Sequence, residues 1–338
     1  MLIGRNGSGK SSFVEAVYLL GRGKSFRTAN LRNLIHFESS SLSVGGVGTE
    51  ALGAYSAFGV QVDRNKTEIK VGGRVCRSRR NLVSLLPTQL IFPGSFALLE
   101  SGPKHRREFL DWGVFQSDPG FLEKWCRYQR ALKQRNALLK VRDARMLEPW
   151  DEELAFYGSQ IAQARESYVE ELKPRLNMLA RGLAGLKELD IGHRRGWDQS
   201  RQFADLLKIQ TEADLRFGFT QYGPHKADLA LRVNGRAARE VLSRGETKLL
   251  VIALKLAQVE LFKDKKGADI CILIDDLASE LDRSMRQTVL DFFNGLKMQV
   301  VITATEGPLL KTFEHYHPTM FHVEHGAIDI GSHSGNHA

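Results

Sequence analysis

The rhythm of hydrophobic and polar positions changes repeatedly along this chain, and each change predicts a different kind of element. Phe13, Ala16, Val17 and Leu20 recur at helical spacing and predict a helix over residues 12–20. Residues 41–75 switch to short, partly alternating runs separated by Gly, Asn and Asp, the pattern of an antiparallel sheet. The apolar run at residues 85–92 reads as a further strand, ended by Pro93 and Gly94.

Helical rhythm then returns. Trp125, Gln129, Leu132, Asn136 and Leu139 share one face of a helix over residues 121–139, and the same spacing runs through Leu154, Tyr157, Ile161, Ala164, Tyr168, Leu172, Leu176 and Leu179. Pro149 falls in the connection, and Pro174 is expected to end or kink the second helix. Two helices joined by a short link suggest an antiparallel helical arm; a pair of ordinary core helices is the alternative.

Strand patterns resume beyond residue 216. An alternating strand at residues 229–233 runs into an Asn234-Gly235 turn, and an apolar helix opens after Leu242 through Leu249, Leu250, Ala253 and Leu256. Residues 271–274 form a continuous apolar strand that ends in Asp275 and Asp276. Residues 300–303 read as another central strand and residues 320–324 as an edge strand. There is no internal repeat.

Composition narrows the class. A chain of 338 residues with 42% hydrophobic content can bury a real core. No run approaches the roughly 18 apolar residues that span a bilayer, and no signal peptide is read, so no membrane association and a cytoplasmic location are expected. Cys76, Cys126 and Cys271 are odd in number and far apart, which indicates neither a disulfide framework nor a zinc site. Six of the ten histidines fall at or after His315, including His317 and His333, and read as a solvated tail, with residues 331–338 disordered.

The formal charge of +9 favours a polyanionic partner. It concentrates at residues 103–145, where eleven Lys or Arg face five Asp or Glu. Lys124, Arg127, Arg130, Lys133, Arg135 and Lys140 fall around the helix face that Trp125, Leu132 and Leu139 leave open. A DNA-contacting face and a simply solvated one both fit.

Chemistry enters at residues 4–11, which read G-R-N-G-S-G-K-S and match the phosphate-cradling loop between a strand and a helix. Gly4, Gly7 and Gly9 let the backbone approach phosphate, and the helix N-terminus adds N–H donors and a favourable dipole. Lys10 is expected on the β- and γ-phosphates of ATP and Ser11 on Mg²⁺. Asp275 would hold Mg²⁺, and Asp276 sits where a water-polarising carboxylate is needed. Ser243-Arg244-Gly245-Glu246 opens a second helix and offers a further phosphate cradle. A chain cannot easily bring that cradle to its own Lys10, so ATP sandwiched in a homodimer is the simple solution.

These stretches occur together with GKSFR at residues 23–27, PTQLIFPGSFALLESGPKHRREFLDWG at 87–113, LKQRNALL at 132–139, YGPHKADL at 222–229, LSRGETKLL at 242–250 and LIDDLASELD at 273–282. In that set and order the chain resembles the RecF family of bacterial recombination and gap-repair ATPases, relatives of Rad50 and SMC heads. The resemblance implies an α/β, ABC-type (Rad50/SMC head-like) P-loop ATPase with an antiparallel β subdomain and an inserted helical arm. Residues 1–102 and 217–330 would form the head and residues 103–216 the arm.

The family pattern places Walker A at Gly4, Arg5, Asn6, Gly7, Ser8, Gly9, Lys10, Ser11 and Ser12, and a Q-loop glutamine sensing Mg²⁺ at Gln89. It places the signature, acting in trans, at Ser243, Gly245 and Glu246. Asp275 and Asp276 become Walker B and the catalytic carboxylate, the D-loop spans residues 279–282, and Arg27 lies near the nucleotide. Many ABC relatives carry a glutamate at the Asp276 position and a histidine after the last core strand. The shorter Asp276 and the Thr303-Ala304-Thr305 stretch therefore imply slow, DNA-stimulated hydrolysis suited to a timer or clamp. Duplex DNA, single-strand/duplex junctions, RecR and RecO are the implied partners.

Two rivals remain at this stage: a nucleotide-dead DNA-binding scaffold and a transporter ATPase subunit. The first gains weight because relatives place roughly 30 residues before the loop. Met1-Leu2-Ile3 can supply only the end of the strand that feeds Gly4, so a missing central strand, weak ATP binding and marginal stability are expected.

Overall fold

The computed structural model describes residues 1–49, 55–76, 80–276, 280–295, 298–305, 316 and 318–330. Strand β1 (Leu2–Ile3) leads into helix α1 (Lys10–Arg22), followed by β2 (Ser41–Thr49), β3 (Tyr55–Asp63), β4 (Thr67–Val71) and β5 (Arg74–Cys76). Then come α2 (Arg80–Leu85), β6 (Thr88–Ile91), α3 (Ala97–Glu100), α4 (Pro103–Ser117), α5 (Phe121–Lys140) and α6 (Glu148–Ala184). The chain continues through β7 (Leu189–Arg194), α7 (Phe203–Phe217), β8 (Asp228–Val233), β9 (Arg236–Ala237), α8 (Ala238–Val241) and α9 (Arg244–Lys266). It closes with β10 (Cys271–Ile274), α10 (Arg283–Gly295), β11 (Val300–Ala304), β12 (Phe321–Glu324) and β13 (Ala327–Ile330).

Two compact units result, one of Met1–Ser95 with Ala268–Ala338 and one of Phe96–Gly267, so residues 217–267 lie with the helical segment. The first unit is built on a six-stranded sheet of order β13-β12-β1-β11-β10-β6, parallel except for β13. All four residues of β10 are buried, as a central parallel strand covered on both faces requires. Helix α1 covers one face, where Val14 meets Leu2, Leu90, Leu273 and Val323. Its far end, at Leu19 and Leu20, packs on the antiparallel β2-β3-β4-β5 sheet through alternating Phe58, Val60 and Val62. The antiparallel subdomain is therefore present at residues 41–76, docked on the helix that follows the loop.

Several expectations are corrected. The apolar run from residue 85 is split, because Leu85 ends α2 and Pro87 removes an N–H ahead of the shorter β6. The strand at residues 321–324 is not at the edge, since β13 pairs antiparallel on its outer side. The strand feeding Gly4 is the two-residue end expected, Leu2–Ile3, paired in parallel with β11 on one side and β12 on the other.

In the second unit α6 is the hub, with α4, α5, α7, α9 and β7 packed around it, so the two long helices are core elements there. Pro149 sits in the first turn of α6, where its missing N–H is harmless. Pro174 does not end the helix, which runs on to Ala184. Buried Leu172 and Leu176 anchor both sides of Pro174, and Arg175 donates to the Glu171 carbonyl at 3.0 Å beside the interrupted ladder.

The buried face of α5 is rotated from the expected one: Tyr128 and Arg135 are buried and Gln129 is exposed. Arg135 leaves the solvated basic row altogether. Its guanidinium is fully buried and donates to Asp151 at 2.5 Å, Asp214 at 2.6 Å and Thr220 at 2.9 Å. Two carboxylates from other helices compensate a charge that helical periodicity assigns to solvent.

Candidate functional site

In the first unit the site lies at the C-terminal edge of the parallel sheet. Directly after β1 the chain turns through Gly7 (φ 80°) and Gly9 (φ 112°), conformations that L side chains rarely adopt, and enters α1 at Lys10. Gly4 has no room for a side chain, because a β-carbon there would lie 2.2 Å from the Val323 carbonyl oxygen of the neighbouring strand. The turn between β12 and β13 braces the loop from outside, with the Gly326 N–H donating to the Ser8 carbonyl at 2.9 Å.

Inside the loop, Lys10 is buried and donates through Nζ to the carbonyls of Gly4 at 2.6 Å and Arg5 at 2.8 Å. The Ser8 hydroxyl is buried with no hydrogen-bond partner. A buried ammonium, an unpartnered hydroxyl and the start of a 13-residue helix converge on one concave turn, and these are donors suited to phosphate oxygens. Ser11 is half-buried on the first turn of α1, whereas Arg5, Asn6, Gly7 and Ser12 are exposed.

Two strands along, Asp275 follows β10 and is 7% exposed. One hydroxyl fixes it. Thr303 Oγ1 on β11 donates to Asp275 Oδ1 at 2.9 Å and accepts the Asp276 N–H at 2.9 Å. That second bond holds Asp276 at φ 55°, a left-handed conformation that turns the chain and leaves its carboxylate exposed. The register aligns Thr303 with Leu2. Asp275 thus lies about 10 Å across the sheet from the strand that enters the loop, at the usual spacing of neighbouring strands.

Arg27 is tied to the same helix as the loop lysine. Buried Glu15 on α1 accepts from Ser25 Oγ at 2.5 Å and pairs with the Arg27 guanidinium at 3.4 Å. Gln89 is placed differently. It is buried in the middle of β6 opposite Ile272, three residues before Asp275 and so about 10 Å below that edge along the strand. The structure does not bring Gln89 to the level of the loop and carboxylates. Ser279 and the histidines at 315, 317 and 333 lie outside the described residues, while Glu280, Leu281 and Asp282 precede α10.

In the second unit Ser243 caps α9. Its Oγ accepts the Glu246 N–H at 3.3 Å, and Glu246 Oε2 accepts from the Ser243 N–H at 2.8 Å and from its hydroxyl at 2.7 Å. These bonds hold the Glu246 carboxyl below its ordinary range. Ser243 and Arg244 are exposed, so a 23-residue helix presents its N-terminus to whatever approaches.

The stretches at residues 103–113 and 223–228 do structural work in this unit. Arg106 forks onto Asp228 at 2.6 and 3.2 Å, and Arg107 donates to the Ala227 carbonyl at 2.9 Å. Fully buried Arg165 joins Asp111 at 2.8 Å to the Pro224 carbonyl at 2.8 Å. His225 Nε2 lies 3.0 Å from the Thr220 carbonyl and therefore carries the proton, leaving Nδ1 to accept from the Tyr128 hydroxyl at 2.6 Å. Burial pushes the His225 imidazole down to about 4.

On α5, Arg127, Arg130 and Lys133 are exposed, while Lys124 is held by Asp118 at 2.9 Å. Among the described residues no cluster of His, Cys, Asp and Glu has the composition of a metal cage, and no helix is long and apolar enough to cross a membrane.

A glycine loop opening the helix on a parallel sheet, two carboxylates two strands away, a docked antiparallel sheet and a helical insertion ending in a serine-capped helix define an ABC-type ATPase head. The fold of an SMC head domain from Pyrococcus furiosus, solved with an extended coiled coil and the C-terminal domain of ScpA, agrees, with a TM-score of 0.55 at 14% identity over 97% of this chain and 88% of that one. Residues 1–328 match the RecF/RecN/SMC N terminal domain. The chain is 42% identical to the DNA replication and repair protein RecF of Vibrio cholerae serotype O1, over 98% of this chain and 93% of the relative. It is 41% identical to that of Pseudomonas aeruginosa strain LESB58, over 100% of this chain and 93% of the relative. A solved structure of the recombination mediator RecF-ATP in the RecFOR pathway superimposes with a TM-score of 0.86 at 26% identity, over 97% of this chain and 90% of that one. The chain belongs to the RecF family.

Proposed function

We propose that this protein is an ATP-dependent DNA-binding ATPase of recombinational gap repair, dimerising on DNA with ATP between two copies and hydrolysing it slowly. The observation that carries the reading is the Asp275–Thr303–Asp276 arrangement at the same sheet edge as the Lys10 loop. Lys10 and the loop N–H groups would take the phosphates, and Ser11 and Asp275 would hold Mg²⁺. When bound, that ion neutralises charge on the β- and γ-phosphates. Asp276 orients a water in line with the γ-phosphorus: the new P–O bond forms as the bond to the β-γ bridging oxygen breaks, and the water's proton passes to the carboxylate.

Ser243, Gly245 and the N-terminus of α9 would complete the site from a second copy. Glu246 occupies the Ser243 hydroxyl until the γ-phosphate displaces it. The exposed Arg127, Arg130 and Lys133 supply phosphate contacts to DNA, and the similarity to RecF-ATP of the RecFOR pathway supports RecO and RecR as partners.

Measuring the mass of complexes formed by the full chain on a gapped duplex tests this reading. A dimer on DNA is expected with ATP and not with ADP. DNA binding indifferent to nucleotide would favour the scaffold reading, and a preparation that takes ATP but no DNA would favour a transporter-type subunit.

A further inference from the structure

The end of α7 carries an exposed aromatic turn beside the basic face of α5. Gly218, at φ 74°, stops the helix and reverses the chain, which leaves Phe217 and Phe219 on either side of it with ring centroids 6.1 Å apart. Phe217 is 61% exposed, Phe219 40% and Tyr222 36%. Exposed rings so close together are the informative kind of surface apolar residue.

Cations frame the turn. Lys226 Nζ lies 5.2 Å from the centre of the Phe219 ring. The Lys140 side chain lies 3.8 Å from where a β-carbon on Gly218 would be. Lys133, seven residues before Lys140, falls on the same side of α5, with Arg130 one turn earlier. Arg216 is exposed on α7; of the two carboxylates just before it, Glu212 is exposed and Asp214 is buried against Arg135.

The turn is also held rigid from beneath, because Asn136 on α5 accepts from both the N–H and the hydroxyl of buried Thr220 at 2.8 Å. Thr220 is in turn bonded to the buried Arg135. Rigid rings interleaved with lysines suit unpaired bases on a phosphate backbone, whereas lysine is depleted from protein–protein interfaces.

We propose that the Phe217–Phe219 turn, flanked by Lys140 and Lys226, is a stacking platform for unpaired bases of single-stranded DNA at the end of the basic α5 face. It rests on the reading that this protein binds DNA and adds the element that distinguishes a gap or overhang from continuous duplex. The rings stack on bases while the α5 cations follow the adjoining phosphates.

The test compares the full chain's affinity for a blunt duplex with that for the same duplex carrying an overhang of about 10 nucleotides, within the footprint of such surfaces. Replacing Phe217 and Phe219 together with Ala is expected to weaken overhang binding at least about fivefold per ring while blunt-duplex affinity stays within about twofold. Phe217→Leu with Phe219→Leu keeps apolar area without a π-face and should fail as Ala does; the double Trp variant should retain binding. Overhang affinity unchanged in the Ala variant, or fully kept in the Leu variant, overturns the platform and returns the turn to protein docking. A wild-type chain that binds neither DNA overturns the DNA reading together with the platform.

Discussion

Thr303 gives the most exacting prediction, because one hydroxyl serves both carboxylates of the site. Thr303→Val keeps the shape of the side chain, which is 2% exposed, and removes the donor to Asp275 Oδ1 and the acceptor of the Asp276 N–H. Asp275 is 7% exposed, so its oxygen is left buried with one partner fewer, a loss of about 2–3 kcal/mol for a bond to a charged group. The Asp276 N–H is nearer solvent and adds about 1 kcal/mol or less once water replaces the lost acceptor. A destabilisation of roughly 3 kcal/mol is therefore expected in urea unfolding followed by fluorescence. ATP turnover should fall at least about tenfold, because the lost bonds position both the Asp276 carboxylate and Asp275, the proposed Mg²⁺ holder. Thr303→Ser should recover most of both. A valine variant that unfolds and turns over like the wild type would refute the positioning of Asp276 by Thr303.

The remaining expectations concern the loop, the basic face and pH. Lys10→Ala should lower ATP affinity measured by a fluorescent analogue, whereas Asp276→Asn should keep binding, stop phosphate release and prolong the dimer on DNA; normal turnover in Asp276→Asn would remove its assigned role. Replacing Arg127, Arg130 and Lys133 with Gln should flatten the log–log salt dependence of DNA binding by up to ~3, and an unchanged slope would make those residues a solvated face. His225 sits at about 4 in the folded protein, lowered by burial and by Lys226, Arg107 and Arg135, against 6.5 ordinarily. The folded state then binds fewer protons than the unfolded one below pH 6.5, so its stabilisation is complete above that pH and fades as pH falls towards 4, by about 3 kcal/mol in all. His193, lowered by burial to about 3, adds in the same direction. Urea titrations from pH 7 to 4 on wild type and His225→Gln should show the steeper acid loss in the wild type.

Local chemistry made much of the site legible. A phosphate loop must be contiguous, because glycines, lysine and helix start act within one turn, so residues 4–11 could be read directly. Asp275 and Asp276 were legible because a continuous apolar run ending in carboxylates has few other uses in a parallel sheet. The hydroxyl that orients them was not, since Thr303 reaches across a strand from 28 residues away and leaves no local signal. Arg135 misled for the same reason: its helical angle suits solvent, and its burial is explained by Asp151 and Asp214, the latter 79 residues on. The stretches around Arg106 and Asp228 were visible as unusual, but their role as a clasp needed the fold. Strand β7 escaped notice because His193 takes the third inward position after Leu189 and Ile191, and β13 because its four residues are too few to show a period.

The central claim is that two copies build each nucleotide site, and complementation tests it most directly. The Lys10→Ala chain lacks the loop charge but keeps its serine-capped helix, while the Ser243→Arg chain keeps the loop and blocks the cradle. Each alone should fail to form an ATP-dependent dimer or to hydrolyse ATP on DNA. Mixed, they can assemble one site from an intact loop and an intact cap, so ATP hydrolysis and dimer formation should reappear. A mixture no more active than its two components would contradict a site shared between copies.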